Sequence, residues 1–186
     1  SDEIHCGLIL DEGKRHVPFA SLSPAIARRT ITLLAPSKTF NIPGLGCAFA
    51  VIPDATLRRR FEQAMHGIVP HVNVLGLAAC EAAFRHSGDW HRELIAYLRG
   101  NRDRVAEVVA SLPGVRMTPV EATYLAWIDV RDLHLAKPAA HCEAHGLGLS
   151  DGSDFGAPGW LRLNFGCPRS TLDEALTRFE RAVRAA

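Results

Sequence analysis

The sequence predicts an α/β fold, and three observations support this prediction. Short apolar segments of strand length occur at residues 31–34 and 47–52, and others follow in the second half of the chain. Segments with the apolar spacing of an amphipathic helix separate them, and one spans residues 90–112. With 186 residues, 47% of them hydrophobic, the chain is also long enough to bury a substantial core.

The first part of the chain is predicted to form two strands around a short polar loop. The strand at residues 31–34 is rich in β-branched and apolar side chains and ends before Pro36. The loop after it contains Lys38, and the second strand covers residues 47–52. Asp54 is a typical N-cap for a helix after that strand. Two helices are predicted next, at residues 55–66 and 70–84.

The second part begins with a long helix over residues 90–112, which ends at the helix-stop pair Pro113 and Gly114. We place a domain boundary at the start of this helix, so that the chain divides into residues 1–88 and 89–186. Beyond the helix, the sequence predicts strands at residues 124–130 and 160–165 and a helix at residues 136–144.

The C-terminal helix has the clearest sequence pattern. Ser170 with Asp173, and Thr171 with Glu174, have the spacing of a capping box. Large apolar residues recur on one face of the helix, at Leu172, Leu176, Phe179 and Val183. The pattern predicts a helix that packs this face against the core.

Composition argues against several classes of function. The chain has 21 basic and 20 acidic residues, so a formal net charge of +1 gives no indication of nucleic-acid or acidic-membrane binding. No apolar run is long enough to span a bilayer, and no export signal is visible. The five cysteines form no CxxC pair, which favours reduced thiols in a cytoplasmic protein. We expect the partner to be a small molecule or another subunit.

Lys38 is distinguished by its context. The chain has 21 Lys and Arg residues, and its only lysines are Lys14, Lys38 and Lys137. A lysine in a partly desolvated site beside other cationic groups can lose its proton near neutral pH and act as a nucleophile. The alternative is that Lys38 merely closes a loop, and the context alone favours that alternative.

Further motifs carry a family resemblance. Residues 1–5 (SDEIH), 37–41 (SKTFN) and 161–164 (LRLN) occur in the order typical of class I/II aminotransferases, which are pyridoxal phosphate (PLP) enzymes of fold type I. With residues 123–127 and 164–169, the chain most resembles the cystathionine β-lyase branch of carbon-sulfur lyases. The resemblance covers the chain but only the C-terminal half of such enzymes. It implies the later part of their large cofactor-binding domain, built on a mostly parallel sheet, followed by the small α/β C-terminal domain.

The resemblance assigns five residues to the cofactor. Lys38 would hold PLP as a Schiff base and move the proton at the substrate Cα. Asp2 would pair with the pyridine nitrogen and keep it protonated, and His5 would approach the phenolic oxygen. Ser37 and Thr39 would donate to the phosphate. The alternatives are an exposed carboxylate at Asp2, a structural histidine, and loop hydroxyls that bond the nearby backbone.

The resemblance assigns Arg162 and Tyr124 to the amino-acid substrate. On a strand, Arg162 lies on the face opposite Leu161 and Leu163, and its planar guanidinium suits a carboxylate. In the family this arginine binds the α-carboxylate as a bidentate fork. The alternatives are an internal salt bridge for Arg162 and a core position for Tyr124. We predict no metal site, because His141 and His145 lack the zinc-protease spacing and are expected on a solvated helical face.

Two hypotheses about function stay open. In the first, the parent protein is a PLP-dependent enzyme and homodimer that catalyses β-elimination or transamination of an amino acid. In the second, the chain is a noncatalytic fragment or interaction module with remnant site residues. Relatives carry roughly as much chain again before the aspartate motif, so we expect a fragment, or a separate chain that supplies the other half. Exposed sheet edges and an uncovered apolar face should result.

Overall fold

The computed structural model describes all 186 residues, and the chain folds into two compact units. The first unit consists of Ser1–Ile9 and Gly13–Glu93, and the second of Leu10–Glu12 and Leu94–Ala186. Both units combine helices with a small sheet, which agrees with the predicted α/β class. None of the helices has both the length and the apolar character that a membrane span requires.

The first unit contains a two-stranded antiparallel sheet and several helices. Its elements are α1 (Pro24–Ala27), β1 (Thr32–Leu34), β2 (Phe49–Val51), α2 (Ala55–Met65), α3 (Val74–His86) and the first residues of α4 (Gly88–Ser111). In the register of β1 and β2, Thr32 lies opposite Val51 and Leu34 opposite Phe49. The only parallel pairing is an isolated bridge between Asp2 and Leu33.

Side-chain caps set where α2 and α3 begin. Asp54 accepts a hydrogen bond from the backbone N–H of Leu57 at 2.7 Å, so α2 begins at Ala55 as predicted. Asn73 accepts from the N–H of Gly76 at 2.8 Å. The prediction that the next helix starts at residue 70 is therefore wrong, because Asn73 stays extended as the N-cap and α3 begins one residue later.

Most of the large apolar side chains of the first unit remain exposed. Its buried hydrophobic residues are Leu8, Ile52 and Ala83, and every exposed large hydrophobic residue of the chain except Tyr97 and Phe155 belongs to this unit. The most exposed are Ile68, Val74 and Leu75, at 80%, 76% and 67%. The expected uncovered apolar surface is thus present, and surfaces of this kind mark interfaces.

The second unit is built on a four-stranded antiparallel sheet. The strands are β3 (Arg116–Met117), β4 (Leu125–Asp129), β5 (Ser150–Asp151) and β6 (Trp160–Asn164), in the order β3-β4-β6-β5, and the helices are the rest of α4, α5 (Pro138–Ala144) and α6 (Arg169–Arg184). Along β6, Leu161 and Leu163 are buried, whereas Trp160, Arg162 and Asn164 are not, as the alternation predicted.

The helices of the second unit bury apolar faces in its core. All four predicted core residues of α6 are buried, as are Leu98, Val105 and Val109 of α4. Asn101 of α4 is also fully buried, and its Nδ2 donates hydrogen bonds to the carbonyl oxygens of Phe165 at 2.8 Å and Cys167 at 3.0 Å. One polar side chain therefore satisfies the backbone that leads out of β6.

The two capping boxes predicted at the start of α6 are wrong. The N-cap is Pro168, which has no side chain that could accept a hydrogen bond, so Ser170 and Thr171 already lie inside the first turn. Asp173 instead forms an ion pair with Arg104. This ion pair joins α6 to α4, so the Asp173 carboxylate is engaged by Arg104 and not by the N-terminus of α6.

We predict that Asn101→Ala lowers the free energy of unfolding of the second unit by about 2–3 kcal/mol, because two interior carbonyls lose their donor. Urea denaturation followed by tryptophan fluorescence measures the change. The control is Glu107→Ala, an exposed position on the same helix, which should stay within about 0.5 kcal/mol of the parent chain. Equal stability of the two variants would show that these hydrogen bonds contribute nothing.

Candidate active site

Lys38 lies at an exposed position in a hydrogen-bonded turn that follows β1. Pro36 is fully buried, and its carbonyl accepts from the N–H of Phe40 at 2.9 Å. The carbonyl of Ser37 accepts from the N–H of Ile42 at 3.2 Å. These two bonds close the turn around Lys38, so its amine is presented from a defined backbone rather than from an open loop.

Aromatic packing anchors this turn to the rest of the first unit. The ring of Phe40 lies 5.5 Å from that of Phe84, 6.2 Å from that of Trp90 and 5.9 Å from that of His91, measured between centroids. His91 Nε2 is also 2.6 Å from the carbonyl oxygen of Gly7. Neither Phe40 nor His91 was predicted as a site residue from the sequence. The aromatic residue two positions after Lys38 was the available signal.

The N-terminal segment runs beside β1 and so reaches the lysine turn. Glu3 N–H donates to the carbonyl of Leu33 at 3.0 Å, and Leu33 N–H donates to the carbonyl of Ser1 at 2.8 Å. These bonds lie on either side of Asp2, whose carboxylate also accepts from the N–H of Ile4 at 3.2 Å. Asp2 is therefore held by backbone pairing next to the strand that leads into Lys38.

His5 interacts electrostatically with both Asp2 and Lys38. Burial lowers the pKa of His5 below its usual value, and the positive charge of Lys38 lowers it further, while the negative charge of Asp2 acts in the opposite direction. The structure thus brings together three of the predicted cofactor residues, Asp2, His5 and Lys38, within one unit.

Ser37 and Thr39 flank Lys38 but differ in exposure. Thr39 is 6% exposed and packs against Gly7, where a Cβ atom would lie only 2.7 Å from Thr39 Oγ1. A glycine is therefore required at position 7 for this close approach. Ser37 is half-buried, so its hydroxyl is more accessible to a ligand than that of Thr39.

Glu3 is a positioning residue that was not predicted from the sequence. Its side chain is 7% exposed and accepts hydrogen bonds from the Phe19 N–H at 2.9 Å and from Ser1 Oγ at 3.1 Å, and it pairs with His16 Nε2 at 2.7 Å. Burial by itself raises the pKa of Glu3, but these hydrogen bonds outweigh burial and the net pKa is lowered. These contacts hold Glu3 in place, and with it the backbone next to Asp2.

In the second unit, Arg162 lies on the face of β6 opposite its buried leucines. Its Nη2 donates to Ser150 Oγ at 3.2 Å, and its guanidinium carbon lies 4.4 Å from the centre of the Phe155 ring. Neither contact carries a negative charge. Trp127 is its register partner on β4, and the Trp127 ring stacks on that of Trp160 at 5.7 Å. The result is an aromatic surface around a guanidinium that can accept a carboxylate.

Tyr124 is placed differently from Arg162. The Phe165 N–H donates to the Tyr124 carbonyl at 2.9 Å, so Tyr124 continues the register of β4 and β6 opposite a fully buried residue. Tyr124 itself lies in a bend just before β4 and is half-buried. Its ring is close to Gly166, where a Cβ atom would lie 3.0 Å from Tyr124 Cγ. Burial raises the pKa of Tyr124.

The histidine pair of α5 is also placed differently from the expectation of a solvated face. His141 is half-buried, and its Nε2 lies 2.8 Å from the carbonyl oxygen of Ala182 in α6. His145 Nδ1 lies 2.9 Å from the carbonyl oxygen of His141. The first contact results from packing of α5 on α6, and the second lies at the end of α5 itself. No group of three or more metal-ligating side chains occurs in the structure.

Comparison with known proteins identifies the family. The family model for class I and II aminotransferases matches residues 1–179. The chain belongs to this aminotransferase family. Among curated relatives, it is 36% identical to cystathionine β-lyase PatB of Bacillus subtilis (strain 168) over 98% of the chain and 49% of PatB.

Two solved structures are similar to this chain over nearly its whole length. OvoB is 51% identical, with a TM-score of 0.97 over 100% of this chain and 49% of OvoB. Cystalysin from Treponema denticola, which contains a pyridoxal 5'-phosphate cofactor, is 32% identical, with a TM-score of 0.91 over 99% of this chain and 48% of cystalysin. The chain therefore spans about half the length of the relatives that it matches.

We predict that Lys38→Ala raises the pKa of His5, because the substitution removes one of the two influences that lower it. Asp2→Asn should lower the same pKa further, because it removes the charge that opposes them. Proton NMR titration of the His5 ring measures both effects. Lys137→Ala, an exposed lysine of the second unit, is the matched control and should leave the titration unchanged. Identical curves for all variants would show that the three groups do not interact.

Proposed function

We propose that Lys38 is the residue through which the protein binds PLP covalently, and that the parent protein is a carbon-sulfur β-lyase acting on an amino acid. The observation that carries the proposal is the grouping of Asp2, His5 and Lys38. The backbone at Asp2 pairs with β1, which leads into Lys38, and the charges of Asp2 and Lys38 both act on His5. An accessible amine, a carboxylate and an imidazole are the groups that an aldehyde, a pyridinium nitrogen and a phenolic oxygen require.

When bound, PLP supplies an electron sink for the carbanion that forms at the substrate Cα. The amine of Lys38 would hold the cofactor and, once released, could take and return the proton at Cα. Asp2 would keep the pyridine nitrogen protonated. Burial and the charge of Lys38 lower the pKa of His5 and so favour its neutral imidazole, whose N–H could donate to the phenolic oxygen. Ser37 and Thr39 are the proposed phosphate donors, with Ser37 the more accessible.

Arg162 is the proposed ligand of the substrate α-carboxylate. A guanidinium whose neighbours are a hydroxyl and an aromatic ring can exchange the hydroxyl for a carboxylate and gain two charge-assisted hydrogen bonds. These bonds would orient the Cα–H bond that is broken. Tyr124 stays a predicted substrate residue.

β-Elimination and transamination share the first step, removal of the Cα proton, and differ in the later steps. The carbon-sulfur lyase proposal is supported by the likeness to PatB, whose name specifies cystathionine β-lyase. Transamination is the alternative, and the family as a whole supports it. A noncatalytic fragment or interaction module is the second alternative, and the uncovered apolar surface of the first unit supports it.

We infer that residues 1–88 are the later part of a large cofactor-binding domain and residues 89–186 the small domain. The proposed parent is a cytoplasmic homodimer, and the five free cysteines support a reducing compartment. Its proposed partners are an amino acid and a second copy of the chain. We propose no nucleic-acid or membrane partner.

We predict that borohydride reduction of the chain with PLP labels Lys38 stoichiometrically, as measured by peptide mass spectrometry. The exposed amine of Lys38 is the only one in the described cluster. Lys38→Arg is the matched control, because it keeps the positive charge but cannot form the covalent bond, and labelling should fall to background. Labelling spread over Lys14 and Lys137 would overturn the proposed site.

We predict that Arg162→Lys lowers kcat/KM of the PLP-loaded parent protein about 30- to 160-fold, because the loss of a bidentate contact costs about 2–3 kcal/mol. The assay measures thiol release from a thioether amino acid without an added 2-oxo acid. Arg116→Lys, on β3 of the same sheet, should leave the rate unchanged. A strict requirement for a 2-oxo acid would instead support transamination.

A further inference from the structure

Two half-buried cysteines of the first unit, Cys47 and Cys80, lie on facing segments. Cys47 is in the short segment that leads into β2, and Cys80 is in the middle of α3. Contacts on either side of the pair show how the two segments are aligned.

The first contact lies N-terminal to Cys47 on one segment and N-terminal to Cys80 on the other. The carbonyl oxygen of Leu45 accepts a hydrogen bond from Asn73 Nδ2 at 2.8 Å. The same oxygen is so close to Gly76 that a Cβ atom there would lie 2.5 Å from it. The backbone at residue 45 therefore rests directly on the first turn of α3.

The second contact lies after the pair. The rings of Phe49 and Phe84 are 6.1 Å apart between centroids, in an edge-to-face arrangement. Phe49 is the first residue of β2, and Phe84 lies two turns beyond Gly76 on α3. The segment and the helix thus run side by side between these two contacts.

The spacing places the two sulfur-bearing residues opposite each other. Cys47 is midway between Leu45 and Phe49, and a step of two residues covers about 5 to 7 Å, whether the residue between is left-handed, as Gly46 is, or extended. Cys80 is midway between Gly76 and Phe84, and four helical residues rise about 6 Å. Because the two steps are nearly equal, the alignment that brings together the residues at both ends also brings together the thiols.

The electrostatics of Cys80 agree with this alignment. Burial raises the pKa of the Cys80 thiol, and a hydrogen bond to Cys47 and the charge of Cys47 raise it further. The other three cysteines differ. Burial raises the pKa of Cys6, Cys142 and Cys167, to about 11 at Cys142, and no second thiol contributes at any of them.

We propose that Cys47 and Cys80 form a dithiol site that a peroxide or a small-molecule disulfide converts into an intramolecular disulfide bond. With a peroxide, two thiols lose two electrons and two protons, one S–S bond forms, and the O–O bond is reduced to two hydroxyl products. With a small disulfide, thiol exchange breaks its S–S bond and releases two small thiols.

The bond would join the segment after the lysine turn to the helix that carries Phe84, one of the aromatic residues that anchor Phe40. This proposal does not depend on PLP binding or on any catalytic activity. Failure of Lys38 labelling and failure of disulfide formation are separate outcomes, because the two experiments modify different residues.

The test is to oxidise the reduced chain with hydrogen peroxide or oxidised glutathione, block free thiols and digest with trypsin without reductant. Peptides 39–58 and 61–85 each contain one cysteine, Cys47 and Cys80 respectively. We expect them to appear as one cross-linked species that dithiothreitol separates. Cys47→Ser and Cys80→Ser should each abolish it, and Cys167→Ser, the control, should not.

The folded structure should also accelerate the reaction, because it holds the thiols together. We expect the cross-link to form at least about tenfold faster in the native chain than in urea. Equal rates would overturn the proposal, even if a serine variant failed to fold. Cross-links mainly between other cysteines or between chains, or thiol oxidation without a 47–80 cross-link, would overturn it as well.

Discussion

Backbone hydrogen bonds on either side of Asp2 join the N-terminal segment to β1, and the candidate cofactor site depends on this pairing. It holds a carboxylate and an imidazole beside the turn that presents Lys38. Closing the loop of about 30 residues between the paired segments costs about 3 kcal/mol of chain entropy. The buried Glu3, with its three hydrogen-bond partners, helps to offset that cost, and Phe40 anchors the turn from the other side.

The two units differ in how completely they bury their apolar residues. In the second unit the sheet and the helices α4, α5 and α6 enclose a continuous core, which includes a hydrogen-bonded Asn101. In the first unit few hydrophobic residues are buried, and long stretches of α3 are exposed. Because hydrophobic burial is the main term that offsets chain entropy, the first unit has the surface of a domain that needs further protein to cover it. A chain that spans about half the length of its relatives is consistent with that surface.

Local patterns predicted most of the elements correctly. The long helix before Pro113, the strand alternation around Arg162 and the apolar face of α6 all follow from periodicities that a single segment contains. The errors arose where two local signals competed or where a distant partner intervened. Asn73 provides a better cap than Pro70, so α3 begins later, and Asp173 pairs with Arg104 rather than capping α6.

The sequence by itself determined which chemical groups are available, namely a rare lysine in a turn, a carboxylate and a histidine near the N-terminus, and an arginine on an alternating strand. It also determined the family, because ordered motifs do not require coordinates. Only the tertiary structure decided which of these groups meet. The approach of His5 to Lys38, the packing of Phe40 on Phe84 and the alignment of Cys47 with Cys80 all join residues that are more than 30 positions apart. Such contacts depend on chain pairing and on packing between elements, which local periodicity does not specify.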